Sequence, residues 1–289
     1  MPKVSVGRFE VALTGGLGNQ LFGYAAGKSI EKFTGLECQF IQPSIKDRPY
    51  ELHNFNIHAA SRQPGSRHPY RSTLISRLNR IVNRERFFFA EQSFRFDSRF
   101  YENPRGKTLY GYFQSFLYLE NVQDDLRSLP NQHVQFSNEF HLLSAKITQH
   151  SHYAIHIRRG DYIGKENFHG IVSPEYYKEA SDRIMQINSA AKFVVFSDSI
   201  EIARKVFPNA ESYISHNDLP KPSENLLLMS RMSGLIGSNS SLSWWAAFLN
   251  SKQDQIYLPK PWFAKSSIDT QDLLYSHWQQ LDSGIRSLQ

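Results

Sequence analysis

The run Tyr153-Ala154-Ile155-His156-Ile157-Arg158-Arg159-Gly160-Asp161-Tyr162 opens as a strand and closes on a charged turn. On a strand Ile155 and Ile157 share one face, and His156 and Arg158 share the other. Beyond the run, helix and strand alternate. Ser173, Pro174 and Glu175 stand in N-cap and first-turn order and open a helix to about Asn188. Phe193–Phe196 is a short buried strand. Ile200–Phe207 is a helix stopped by Pro208. Glu224–Met232 is a helix, Gly234–Gly237 a strand, Ser241–Asn250 a helix and Gln255–Leu258 a final strand. Strands separated by helices imply parallel pairing with helices on both faces, an α/β fold.

The first half begins the same way. Phe9–Leu13 is β-prone and runs into Thr14-Gly15-Gly16-Leu17-Gly18-Asn19-Gln20. Leu21, Phe22, Ala25, Ala26, Ser29 and Ile30 then recur at helical spacing. Residues 73–84 predict a helix with Arg77, Arg80 and Arg84 on one face. Thr108–Ser115 predicts a strand, and 116–129 a helix ended by Pro130. Residues 131–151 are polar and lack periodicity. They place a boundary between an N-terminal domain, 1–145, and a C-terminal domain, 146–289.

The 289 residues are 40% hydrophobic and 13% aromatic, which allows sizeable cores and argues against global disorder. No apolar run reaches the eighteen residues of a membrane span. Met1 to Glu10 shows no signal-peptide core, and Cys38 is the single cysteine, so a reducing cytoplasm is the expected compartment. Neither a disulfide nor a cysteine metal site is expected. The net charge of +6 is matched by segment 61–105 alone, which carries ten Arg, no Lys and four acidic residues. That patch is either a solvated face or a surface for an anionic partner, such as the inner face of a membrane. No nucleic-acid motif accompanies it.

Three stretches suit an anion. Arg158 and Arg159 precede Gly160 at a strand's carboxyl end, where ligands of open α/β sheets bind, and guanidinium grips phosphate oxygens in pairs. For Arg159 a salt bridge to Asp161 is an equal alternative. The Gly15–Gln20 turn is either a tight turn or a phosphate contact at a helix N-terminus. Gly237-Ser238-Asn239-Ser240-Ser241-Leu242-Ser243-Trp244-Trp245 offers hydroxyls that cap a helix or meet phosphate; Trp244 and Trp245 read as core. Asp198 ends a strand and either accepts from a guanine edge or caps the next helix. There is no D-x-D pair to hold a metal and no G-x-S-x-G elbow. His150, His152 and His156 share strand parity without a joining acid, so zinc is not expected.

Together these residues resemble the α-1,2-fucosyltransferases of glycosyltransferase family 11. The likeness is carried by Gly15–Phe22, Gly111-Tyr112-Phe113-Gln114-Ser115, His156–Tyr162, His169-Gly170 with Ser173–Tyr177, and Phe196-Ser197-Asp198. Leu228-Met229-Ser230 and Asn239–Ala247 complete it. The resemblance implies a GT-B-like architecture of two facing Rossmann-type domains, the first on the acceptor side and the second binding GDP-fucose. It implies inverting transfer of L-fucose to a galactose hydroxyl, O2, of a glycan acceptor, with no metal or other cofactor. Arg158 would hold the departing β-phosphate, with Arg159, Ser240 and Ser241 at the diphosphate. His156 and Asp198 would lie near guanosine, Asn19 near the reacting sugar, and Gly16 and Gly18 would contact GDP-fucose. Asp161 and His169 are candidate bases. The chain departs from the family at Ser199, Arg231-Met232, Leu242 and Phe116-Leu117, which bears on the acceptor more than the donor. The rival readings are a catalytically silent glycan- or nucleotide-binding module, a different linkage, and a membrane-associated assembly protein; a lipid-linked acceptor would fit the basic segment.

Overall fold

A computed structural model describes residues 7–43, 49–62, 88–147, 151–160, 164 and 166–286. The helix expected at 73–84, most of the arginine-rich segment ahead of residue 88, and Asp161 lie outside the described residues. The chain divides into two units, Met1–His133 with Thr270–Leu273, and Val134–Asp269 with Leu274–Gln289.

The first unit holds β1 (Arg8–Ala12), α1 (Leu17–Thr34), β2 (Glu37–Pro43), β3 (Ala60–Arg62), β4 (Phe88–Ala90) and β5 (Thr108–Tyr110). Its strands are all parallel, in the order β3-β2-β1-β5-β4. Leu21, Phe22, Ala25, Ala26 and Ile30 of α1 are fully buried, as their spacing predicts. The helix stops at Gly35, whose φ of 69° is the left-handed cap that glycine adopts without strain, and its N–H returns to the Glu31 carbonyl. Two expectations change here. The strand over 108–115 ends at Tyr110, because the next residues turn sharply and Phe113 takes a φ of 51°. The helix over 116–129 is instead a 3-10 segment, Phe116–Val122, a short α-helix, Gln123–Arg127, and a second 3-10 turn, Leu129–Gln132. Pro130 opens that last turn, where a missing N–H costs nothing.

The second unit runs α2 (Asn138–Ile147), β6 (His152–Ile157), α3 (Glu166–His169), α4 (Pro174–Ile187), β7 (Lys192–Ser197), α5 (Ile200–Val206) and β8 (Ser212–Ile214). It continues with α6 (Pro222–Ser230), β9 (Leu235–Ile236), α7 (Ser241–Leu249), β10 (Ile256–Lys260) and β11 (Gln279–Asp282). The six strands are parallel, in the order β11-β10-β9-β6-β7-β8. Counted along the unit from β6, this is the doubly wound order 3-2-1-4-5-6. The winding reverses between β6 and β9. Every residue of β6 is buried, as expected of a central strand covered on both faces.

The stretch read as a featureless boundary contains α2, and the expected limit at 145 falls inside it. Ser137 fastens its entry: the backbone N–H and the hydroxyl both donate to the fully buried Glu224 carboxylate at 2.7 Å. The Arg231 guanidinium lies 5.1 and 5.0 Å from the ring centres of Phe136 and Phe140. This is the place of the arginine that departs from the family pattern. β10 is not the last strand, since the polar edge strand β11 pairs with it. The two parallel α/β units are those a GT-B-like fold requires.

Candidate active site

In the second unit the parallel register sets Ile157 opposite Ser197. One step further along each strand, Arg158 meets Asp198, with Nε 3.2 Å from Oδ2. The same carboxylate accepts the backbone N–H groups of Arg159 and Gly160, both at 3.0 Å. Three of its roughly four acceptor positions are thereby used. A Cβ on Gly160 would stand 3.0 Å from Asp198 Oδ2, a tight contact that would press on this carboxylate. Asp198 does not cap α5, whose N-cap is Ser199. Its work is to hold the turn after β6. Arg158 stays partly open, its side chain 26% exposed. Arg159 points differently: its guanidinium donates to the Val172 carbonyl at 3.0 Å, and burial pulls its pKa below the ordinary value.

His156 is buried beneath this turn. Its Nδ1 lies 2.6 Å from Ser243 Oγ, and Ser243 Oγ also accepts the Ser238 N–H at 3.0 Å. The Ser243 hydroxyl thus links the ring to the segment that opens α7, and the ring's tautomer sets the direction of the bond at Nδ1. Burial, and then the Arg158 charge, lower the pKa of His156 to about 4, so the ring is neutral near pH 7. The imidazole joins β6 to the start of α7.

The segment between β9 and α7 is drawn tightly inward. A Cβ on Gly237 would stand 2.5 Å from Leu258 and 2.9 Å from Ser243. Ser240 is the N-cap of α7 and accepts the Leu242 N–H at 3.3 Å. Capping therefore explains Ser240, internal bonding explains Ser243, and partly exposed Ser241 sits at the first helical position. Asn239 donates to the carbonyls of His169 at 2.7 Å and Trp262 at 3.0 Å, tying α3 and the segment after β10 to this helix start. The ring of His169 lies 4.9 Å from Phe168 and 6.3 Å from Phe263.

In the first unit the sheet also reverses direction, between β1 and β5. Gly15 has a φ of 74°, and Gly16 is the N-cap of α1. Gly15, rather than Gly16, is the glycine the turn geometry demands. Gln20 closes the loop by donating to the carbonyls of Gly15 and Pro49 at 2.8 and 2.9 Å. Asn19 Oδ1 accepts from Gln114 Nε2 at 2.9 Å, so two stretches 95 residues apart meet at one sheet edge. Beside them Glu91 Oε2 accepts the N–H groups of Tyr112 and Phe113 at 2.8 and 3.1 Å, while its other oxygen is buried without a hydrogen-bond partner among the described residues. Burial pushes this carboxyl up to about 7.

The structure thus gathers Arg158, Arg159, His156, Asp198, Ser240 and Ser241 in the second unit, and Gly16, Gly18 and Asn19 in the first. The sequence did not single out Glu91, Gln114, Ser243 or Asn239 by role, because each acts through a partner far along the chain. Among the described residues no group of three or more His, Cys, Asp or Glu side chains is placed to hold a metal ion, and no helix is long and apolar enough to cross a membrane.

Residues 1–282 match the family model of glycosyl transferase family 11. The chain is 29% identical over 284 residues to an Escherichia coli protein named O-antigen biosynthesis glycosyltransferase WbnK, across 87% of this chain and 94% of the other. It is 24% identical over 295 residues to an E. coli alpha-1,2-colitosyltransferase, across 93% and 97%. A solved structure of an Arabidopsis thaliana FUT1 mutant in complex with GDP aligns at 11% identity over 85% of this chain and 68% of that one, with a TM-score of 0.49.

Proposed function

The chain belongs to glycosyl transferase family 11, and on that premise we propose that it moves L-fucose from GDP-fucose to O2 of a galactose residue in a glycan acceptor, with inversion and without a metal. One observation carries the donor half. At the point where the second unit's winding reverses, β6 runs into a partly exposed Arg158 held by Asp198, and its neighbour β9 runs into the turn that opens α7. A guanidinium and the N–H groups of a helix start are what a diphosphate needs when no cation shares its charge.

In this reading the acceptor oxygen attacks the anomeric carbon from the face opposite GDP. The bond from that carbon to the β-phosphate oxygen breaks, and its electron pair leaves with GDP. The hydroxyl proton passes to a base, for which Asp161 and His169 are the candidates. Arg158 meets the charge growing on the β-phosphate, and Ser240 and Ser241 lie at the diphosphate. Asp198 and His156 act at one remove: the first aims Arg158, and the second braces the floor between β6 and α7. Neither needs to touch guanine.

The test is incubation of GDP-fucose with galactose-terminated acceptors in the presence of EDTA, with the product linkage read by NMR. Because one relative is named for colitose transfer, GDP-colitose is run in parallel. Arg158→Ala is expected to lower kcat at least ~100-fold, the usual size for loss of one such charge contact, while the fold survives. Wild-type turnover in the folded variant refutes the role of Arg158. GDP-fucose binding without GDP release in any acceptor favours a silent module instead.

A further inference from the structure

The turn after β5 is held at some cost to the fold. Phe113 adopts a φ of 51°, a region that non-glycine residues enter only under constraint. A carboxyl group, Glu91, is buried to hold the N–H groups of residues 112 and 113, and one of its oxygens finds no partner among the described residues. Gly111 is required as well, since a Cβ there would stand 2.8 Å from Glu91 Oε2. None of this is needed to end a strand. Its consequence is that Phe113 is fully buried while Tyr112, next to it, is turned out to 44% exposure. The Tyr112 ring lies flat beside Phe94, with 6.0 Å between centroids and 5° between planes. Two residues on, Gln114 reaches Asn19 at the reversal of the sheet.

An exposed aromatic face on a rigid turn, two residues ahead of the amide pair Gln114–Asn19, suits one class of ligand. A pyranose ring offers an apolar face of C–H groups for stacking and a rim of hydroxyls for amides. Strained backbone gathers at ligand clamps, and the turn's rigidity would spare a weak sugar contact the entropy of ordering its platform. We propose that Tyr112, backed by Phe94, is the stacking platform for the acceptor's galactopyranose ring, and that Glu91 is the positioning residue that holds it. This deepens the proposed function and rests on it for the identity of the sugar.

Two readouts separate this proposal from that reading. Saturation-transfer NMR with methyl β-galactoside and lactose needs neither donor nor turnover. Wild-type protein is expected to transfer saturation to the ring C–H protons of galactose, Tyr112→Phe to keep that signal and Tyr112→Ala to lose most of it. Steady-state kinetics with GDP-fucose should then show Tyr112→Ala raising the acceptor KM ~5- to 10-fold, the worth of one stacking contact, with Tyr112→Phe near wild type. The open position of Tyr112 lets both variants fold. Equal saturation transfer in wild type and Tyr112→Ala, or none in wild type, overturns the platform even if GDP-fucose is turned over. A rise in the GDP-fucose KM with the acceptor KM unmoved overturns it too, by making the ring a nucleobase contact. If wild type binds galactose as described but leaves GDP-fucose intact, the donor assignment fails and the platform stands.

Discussion

Replacing Glu91 by Gln tests the electrostatics of the first unit without touching Arg158 or Asp198 of the second. Burial lifts this carboxyl to about 7 against an ordinary 4.5; the N–H groups of Phe113 and Tyr112 pull it down, and the Asp97 charge adds to the rise. A folded-state pKa raised above the unfolded one means stability is fully present below pH 4.5 and is lost as pH climbs through 7. The gap corresponds to about 3 kcal/mol, of which about 2.5 kcal/mol falls between pH 5 and pH 8. In Glu91→Gln the amide oxygen can take over both backbone N–H groups, while the NH2 lands where the carboxylate had no partner. That costs about 1–3 kcal/mol at every pH, so absolute stability is a poor readout and the pH slope is the sound one. All four tryptophans, Trp244, Trp245, Trp262 and Trp278, lie in the second unit. Urea unfolding is therefore followed by far-UV circular dichroism, which reports the backbone of both units, alongside indole fluorescence, whose reporters all lie in the second. The stability of the variant relative to wild type should rise by about 2.5 kcal/mol from pH 5 to pH 8. A difference that stays flat within about 0.5 kcal/mol over that range would show that Glu91 is not buried as described.

His156 gives the opposite slope in the other unit: its pKa is lowered to about 4, so stability is present above 6.5 and drains away as pH falls toward 4. His156→Asn should abolish that slope in tryptophan-detected unfolding while leaving the Glu91 slope intact. Asp198→Asn removes the charge that aims Arg158 and weakens the grip on the Arg159 and Gly160 N–H groups. We expect kcat/KM for GDP-fucose to fall ~10-fold or more with circular dichroism preserved; unchanged kinetics would mean that Arg158 aims itself. Asn239→Ala leaves the His169 and Trp262 carbonyls without their shared donor. It should cost about 1–3 kcal/mol in the tryptophan-detected transition, and a loss too small to measure would show that water replaces the amide.

What could be read from the sequence follows a physical division between burial and register. Central strands and their helices announce themselves locally, because a segment buried on both faces must be apolar throughout. That is why β6, α4, β7, α5 and α7 lie within a few residues of where spacing and caps put them. β11 carries Gln279, Gln280 and Asp282 on a sheet edge, and β2 and β3 are interrupted by polar residues, so no apolar run marked them; β4 does lie in one, Phe87–Ala90, but it is short and follows an arginine-rich stretch. The helix α2 was hidden because only Phe140 and Ile147 of its ten residues are buried. Its anchors, Glu224 and Arg231, stand far along the chain.

The site shows the same division at the level of single atoms. A carboxylate at a strand's end can face a ligand, cap the next helix or serve a neighbouring loop, and its own sequence context is identical in all three cases. For Asp198 the choice is made by the pairing of Ile157 with Ser197. Shift that register by one residue and Arg158 would lie beside Ser197 or Ser199 instead of the carboxylate that now pairs with it. In the proposed reading, the aim of Arg158 is thus encoded in the alignment of two strands as much as in the arginine, and that alignment is fixed by the apolar residues of β6 and β7. A core change in β7 that slips the pairing, while leaving Arg158 and Asp198 in place in the sequence, should therefore remove activity as surely as removing the guanidinium.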